Sequence, residues 1–161
     1  MLKKRLTALT ILVTACLLCS ASTPQHVPTL IILPFQAKAG SDLDYIAEGL
    51  ATLLPSRISI PGKISVVDMQ TLKKALRPHS PSSREHTIEV ARRLNADFIL
   101  EGTLSKNTGG INVDARVFEV AHQKNFSPVS MQVTEIDALI PETGIMAGTV
   151  KEFILRSTHQ E

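Results

Sequence analysis

Beyond residue 19 the chain contains no cysteine, and the two it has, Cys16 and Cys19, fall within its first 22 residues, MLKKRLTALTILVTACLLCSAS. The rest of the chain therefore folds without a disulfide. An excess of one charge is also missing. Lys and Arg number 17 against 15 Asp and Glu, and three of the basic residues, Lys3, Lys4 and Arg5, lie in the first 15 positions, so 14 basic groups remain against 15 acids. Such a near-neutral balance carries no electrostatic footprint for nucleic acid. There is no glycine-rich loop to cradle a phosphate and no internal repeat. The five histidines, His26, His79, His86, His122 and His159, fall in predicted loops or tails without ligand spacing, so neither a metal site nor a cofactor is expected. Ser80, Ser82 and Ser83 lie near His79, but not in the Gly-x-Ser-x-Gly setting a serine nucleophile needs. No catalytic constellation is expected.

What is present starts with an address. A basic start, an apolar run from Leu6 to Leu18 and small residues after it make residues 1–22 a signal peptide. The run is shorter than the roughly 20 apolar residues of a membrane-spanning helix. The tetrad Val13-Thr14-Ala15-Cys16 resembles a bacterial lipobox, which makes Cys16 the lipid attachment and a membrane the first partner. The alternative is cleavage after Ala21 or Ser22, with both cysteines discarded. Residues 23–28 are a short polar tether, and residues 29–158 suit one domain.

Hydrophobic patterning divides that domain into five strands and four helices. Thr29 to Phe35 is a nearly continuous apolar run of strand length. Ser41 and Asp44 form a capping-box pattern for a helix with one apolar stripe, ended or distorted at Pro55. Lys63 to Asp68 reads as the second strand, with Asp68 the N-cap of a helix over Met69 to Leu76. Arg77 to His86 has the composition of an exposed loop, and Thr87 to Leu94 of a helix closed by a left-handed Asn95. Ala96 to Lys106, Ile111 to Val120 and Phe126 to Thr134 are strands, the first two joined by a hairpin at Asn107-Thr108-Gly109-Gly110. Pro128 marks the last strand as an edge. A helix from Pro141 to Arg156 completes the domain. Right-handed crossovers give an α/β fold with a mixed five-stranded sheet, order 2-1-3-4-5: three parallel strands followed by an antiparallel meander.

Four segments, IILPF at Ile31 to Phe35, DYIAEGLATLL at Asp44 to Leu54, ARRLNADFILEGTL at Ala91 to Leu104 and INVDARVFEV at Ile111 to Val120, resemble the N-terminal domain type of TolB and the related domains of CsgG-like and FlgO-like outer-membrane lipoproteins. The resemblance implies a domain that works in the cell envelope as a docking or assembly module. No propeller repeats follow, and no long amphipathic hairpins of a secretion channel are present. The expected function is that of a non-enzymatic exported protein in the periplasm, lipid-anchored to the outer membrane, with envelope proteins as partners. A small-ligand-binding or sensory module is the alternative. Its ligand would sit in the crevice at the carboxyl ends of the first and third strands, lined by Gln36, Ser41 and Asp42. The partner surface is expected on the polar face of the last two strands, at Asn112, Asp114, Arg116, Ser130 and Gln132.

Overall fold

The computed structural model describes residues 26–38, 43–76 and 83–158 of the chain. The predicted leader with Cys16, together with Ser41, Asp42, His79, Ser80, Ser82 and His159, lies outside the described residues. The strands are β1 (Thr29–Ile32), β2 (Gln36–Ala37), β3 (Ser65–Val66), β4 (Phe98–Asn107), β5 (Gly110–Glu119), β6 (Lys124–Asn125) and β7 (Val129–Val133). The helices are α1 (Asp44–Ile58), α2 (Met69–Leu76), α3 (Arg84–Arg93) and α4 (Leu139–Thr158), the last entered through a 3-10 turn at Ile136–Ala138. The sheet runs β3-β1-β4-β5-β6, with β2 also on β4 and β7 also on β5. Contacts of β1 with β3 and β4 are parallel, and those of β5 with β4 and β7 antiparallel.

The sheet has seven strands rather than five, because β2 follows the expected end of the first strand at Phe35 and β6 precedes the expected start of the last at Phe126, each separated from its neighbouring strand by a stretch with one extra residue. Ile32 pairs with Leu100 and Gln36 with Thr103, so four steps from β1 to β2 match three along β4. Likewise Asn125 pairs with Phe118 and Val129 with Ala115. An extra residue of this kind is a β-bulge, and it reverses which face every later side chain meets. Leu30 and Ile32 point to one face and Ile31 to the other, so unbroken alternation would send Phe35 with Ile31. The bulge returns Phe35 to the face of Leu30, where it is buried. The second bulge does the same for Phe126, which packs towards the core side of Val129 and stacks on Phe153 of α4 with ring centroids 5.6 Å apart.

That first face carries the larger core. Leu50, Leu54 and Ile58 of α1 and Met146, Val150 and Ile154 of α4 close over Leu100, Leu104, Val113 and Val117. Burial of Leu54 and Ile58 explains why α1 runs past Pro55, where the sequence suggested a distortion or an end: the apolar stripe outweighs one missing helix hydrogen bond. Pro141 sits in the first turn of α4, where a missing N–H costs nothing, so α4 begins two residues before the expected start. On the second face, Leu72 of α2 and Val90 and Ala91 of α3 cover Ile31, Ile99 and Phe118. These helices are short. Eight and ten residues span about 12 and 15 Å, whereas the ten-residue strands β4 and β5 span about 33 Å, so much of the second face is left bare by the described residues.

Local chemistry fixes the ends of the elements. Asp68 Oδ1 accepts the N–H groups of Gln70 and Thr71 at 3.0 and 2.9 Å, the N-cap expected for α2. α3 starts at Arg84, three residues before the expected start, because Ser83 is its cap and accepts the His86 N–H at 3.2 Å. The second strand shrinks to Ser65–Val66, since Ile60 and Ile64 pair across the Pro61-Gly62 turn and consume its start. Asn95 has the left-handed conformation expected of it, φ 51°. The chain enters the sheet through a clasp: Asp97 accepts the Thr29 N–H at 2.7 Å and holds His26 Nε2 2.9 Å from both its carboxylate oxygens.

Phe35 can reach its place because residue 102 of β4 has no side chain. A Cβ on Gly102 would lie 2.1 Å from Phe35 Cε1 and 2.5 Å from Cδ1, and the ring is buried. Gly102→Ala is expected to destabilise the domain by about 1–3 kcal/mol through overpacking, read as a lower urea midpoint; an unchanged midpoint would show that the ring does not depend on this contact.

A second expectation concerns pH. Bonds from Thr71, joined by the Gln70 N–H and the positive charge of Lys74, hold the Asp68 carboxyl below its ordinary value of 3.8. The group is depressed in the folded state, so its contribution is present above about pH 4 and is lost as the pH falls through the folded value. Hydrogen-exchange protection of the Thr71 amide should decline across that acid range in the native chain and stay level in Asp68→Asn. Equal profiles would remove the carboxylate from the capping account.

Candidate docking groove

The bare part of the second face is a grid of polar side chains set by strand register. Glu101 of β4 lies opposite Arg116 of β5. The next row is Thr103, Asp114 and Ser130, and the row nearest the hairpin is Ser105, Asn112 and Gln132. All five residues expected to form a partner surface therefore share this face. Within it the Ser130 hydroxyl donates to Asp114 Oδ1 at 2.6 Å, and Gln132 Nε2 donates to the Gly109 carbonyl at 2.9 Å.

Between the end of α2, the start of α3 and the two bulges this face deepens into a groove of about 790 Å³. Thr103, Asp114 and Arg116 lie along its floor; Leu33, Pro34 and Leu76 form one wall, and Pro128 closes the far side. The bulges account for these walls. By turning Phe35 and Phe126 towards the core they leave Pro34 and Pro128 exposed at the rims. Gln36, expected to line a ligand crevice, does line this groove, as does Lys38. The crevice and the partner face thus merge into one site. It opens beside residues 101–103, part-way along β4 rather than at its carboxyl end, because β4 continues four residues further to Asn107. Asn112 and Gln132 lie beyond the groove on the same face, and Ser41 and Asp42 lie outside the described residues.

The charges of the groove are partly spoken for. Arg84 Nη2 donates to Glu101 Oε1 at 3.0 Å, and its guanidinium lies 4.8 Å from the centre of the Phe118 ring. Asp114 is occupied by Ser130. Arg116 is exposed and, among the described residues, enters no ion pair; the same is true of Lys38. Among the described residues no group of three or more His, Cys, Asp and Glu could hold a metal ion.

Sequence reasoning missed Arg84, Glu101 and Thr103. The alternation Glu101, Thr103, Ser105 behind the apolar Phe98-Ile99-Leu100 carried the signal for the last two, since it assigns them the face of Asn112 and Asp114. Arg84 had no such signal, because its place depends on where α3 begins.

No family model and no curated protein sequence matches the chain. Solved structures do match. The LpoB C-terminal domain from Escherichia coli superposes with a TM-score of 0.54 at 17% identity, over 76% of this chain and 93% of that one. Lipoprotein GNA1162 from Neisseria meningitidis gives 0.55 at 12% identity, over 78% and 95%. TolB from Acinetobacter baumannii gives 0.51 at 11% identity, over 86% of this chain and 29% of that one. At these identities the likeness is one of architecture, and the chain has the fold of the TolB-like envelope domains.

Proposed function

We propose that the chain is a non-enzymatic, exported envelope protein, anchored at the outer membrane through a lipid on Cys16, whose domain over residues 29–158 docks onto a partner protein. The observation that carries this reading is the part of the second sheet face that the described helices leave uncovered. An antiparallel face left to water needs only scattered polar groups. Here it forms a walled groove with two proline rims, an arginine that enters no ion pair among the described residues, and an ordered hydrogen-bonded grid beside it. The signal peptide and lipobox pattern support export and anchoring. The fold supports the envelope setting, and a lipoprotein stands among the chains that share it. Among the described residues, the lining of the groove includes no serine, cysteine or histidine, which favours contact over bond-making.

A photo-crosslinking residue at Thr103 or Asn112 of the full chain, expressed in intact cells, should capture the same protein reproducibly, while one at Glu89 on the outer side of α3 should not. Cys16→Ala should shift the chain from the membrane to the soluble fraction. Absence of crosslinks from both sheet positions would refute docking by this face, and an unchanged fractionation would refute the anchor.

A further inference from the structure

This inference rests on the docking reading and names what the groove takes. Five charged side chains line it, three basic and two acidic: Lys38, Arg84 and Arg116 against Glu101 and Asp114. The two carboxylates could in principle neutralise Arg116, since Glu101 lies directly across from it and Asp114 is two residues away on the same face. Each is already engaged. Glu101 is held by Arg84 at 3.0 Å, and Asp114 accepts the short hydrogen bond from Ser130 at 2.6 Å. Arg84 is in turn committed to Glu101 and to the Phe118 ring. Of the three groove cations, Arg116 on the floor and Lys38 at the rim are left without an ion pair among the described residues. A guanidinium offers a planar fork of donors that matches a carboxylate with two parallel hydrogen bonds.

The remaining lining decides what carries that carboxylate. Leu33, Pro34, Leu76 and Pro128 give apolar walls on both sides of the arginine. The rim residues Pro34, Gln36, Lys38 and Pro128 are exposed, as is Arg116 itself, so among the described residues the groove is open along its length. Small-molecule sites enclose most of their ligand's surface, whereas an open groove covers one side of a chain passing through it. We infer that the groove holds an extended segment of a partner protein in which acidic residues alternate with apolar ones, and that Arg116 is its specificity-determining contact. Lys38 adds a second point of attraction at the entrance.

The test uses the full chain in detergent and a fluorescein-labelled seven-residue peptide that alternates glutamate and valine between terminal prolines, with its lysine counterpart as control. Fluorescence anisotropy at low salt should show the acidic peptide binding at least about tenfold more tightly than the basic one, with the difference shrinking in high salt. Arg116→Ala should weaken the acidic peptide by about tenfold, and Arg116→Glu should invert the preference. Among the described residues Arg116 has no ion pair to lose, so these variants should keep the native urea midpoint. Equal binding of the two peptides, or an affinity unchanged in Arg116→Ala, overturns the inference. Displacement of the acidic peptide by micromolar inorganic phosphate also overturns it, in favour of a small-anion site. In cells, loss of the Thr103 crosslink in Arg116→Glu supports it. A crosslink that survives Arg116→Glu overturns the acidic occupant and leaves the docking face standing; absence of crosslinks from the native chain overturns the docking face and this inference together.

Discussion

Phe35 lies against a strand that has no side chain at the point of contact, and the arrangement of both sheet faces follows from that approach. A ring with 2.1 Å between its edge and the place of a Cβ can occupy that position only over glycine. With Gly102 there, a single extra residue in the first strand turns Phe35 from one face to the other, and the larger core gains an aromatic side chain that plain alternation would have denied it. The same device recurs on the opposite side of β4 and β5, where the second bulge brings Phe126 against Phe153. Each phenylalanine gained by the core leaves a proline at the surface of the other face. Core packing and groove walls are thus two results of one shift in phase.

The division of labour between the faces also depends on helix length. α1 and α4, with 15 and 20 residues, are long enough to cover the strands they pack on, and their face is continuous core. α2 and α3 are not, and the polar rows begin where their cover stops at Ile99 and Phe118. Arg84 stands at that border. Its guanidinium joins the last aromatic residue of the covered part to the first acid of the open part, so the start of α3 is tied to the site it flanks.

Much of this was legible in the sequence because it is written in local periods. The alternation of Ile111, Val113, Ala115 and Val117 with Asn112, Asp114 and Arg116 assigned the polar face, and Asn95, Asp68 and the hairpin residues marked element ends by their own backbone preferences. The strand order followed from crossover handedness alone. The bulges were not legible as bulges, since their cause lies across the sheet: Phe35 changes face because residue 102, distant in sequence, is glycine. Pro34 within an apolar run was a local sign of interruption, in the way that Pro128 was read as an edge. The union of the crevice at Gln36 with the face at Asp114 and Arg116 needed the pairing of β2 on β4 beside the start of α3, which no pattern in either segment states.

The clasp at the chain's entry bears on orientation. His26 and Thr29 are fastened to Asp97 just before β4, whereas the groove lies beside residues 101–103, so the chain enters the domain at the amino end of β4, several residues along that strand from the groove. Ten peptide units separate Cys16 from His26, and a fully stretched chain of that length reaches about 35 Å. The lipid proposed at Cys16 would confine the domain to a layer about one domain diameter above the bilayer. Within that layer the module would meet partners standing on the same membrane or reaching down to it.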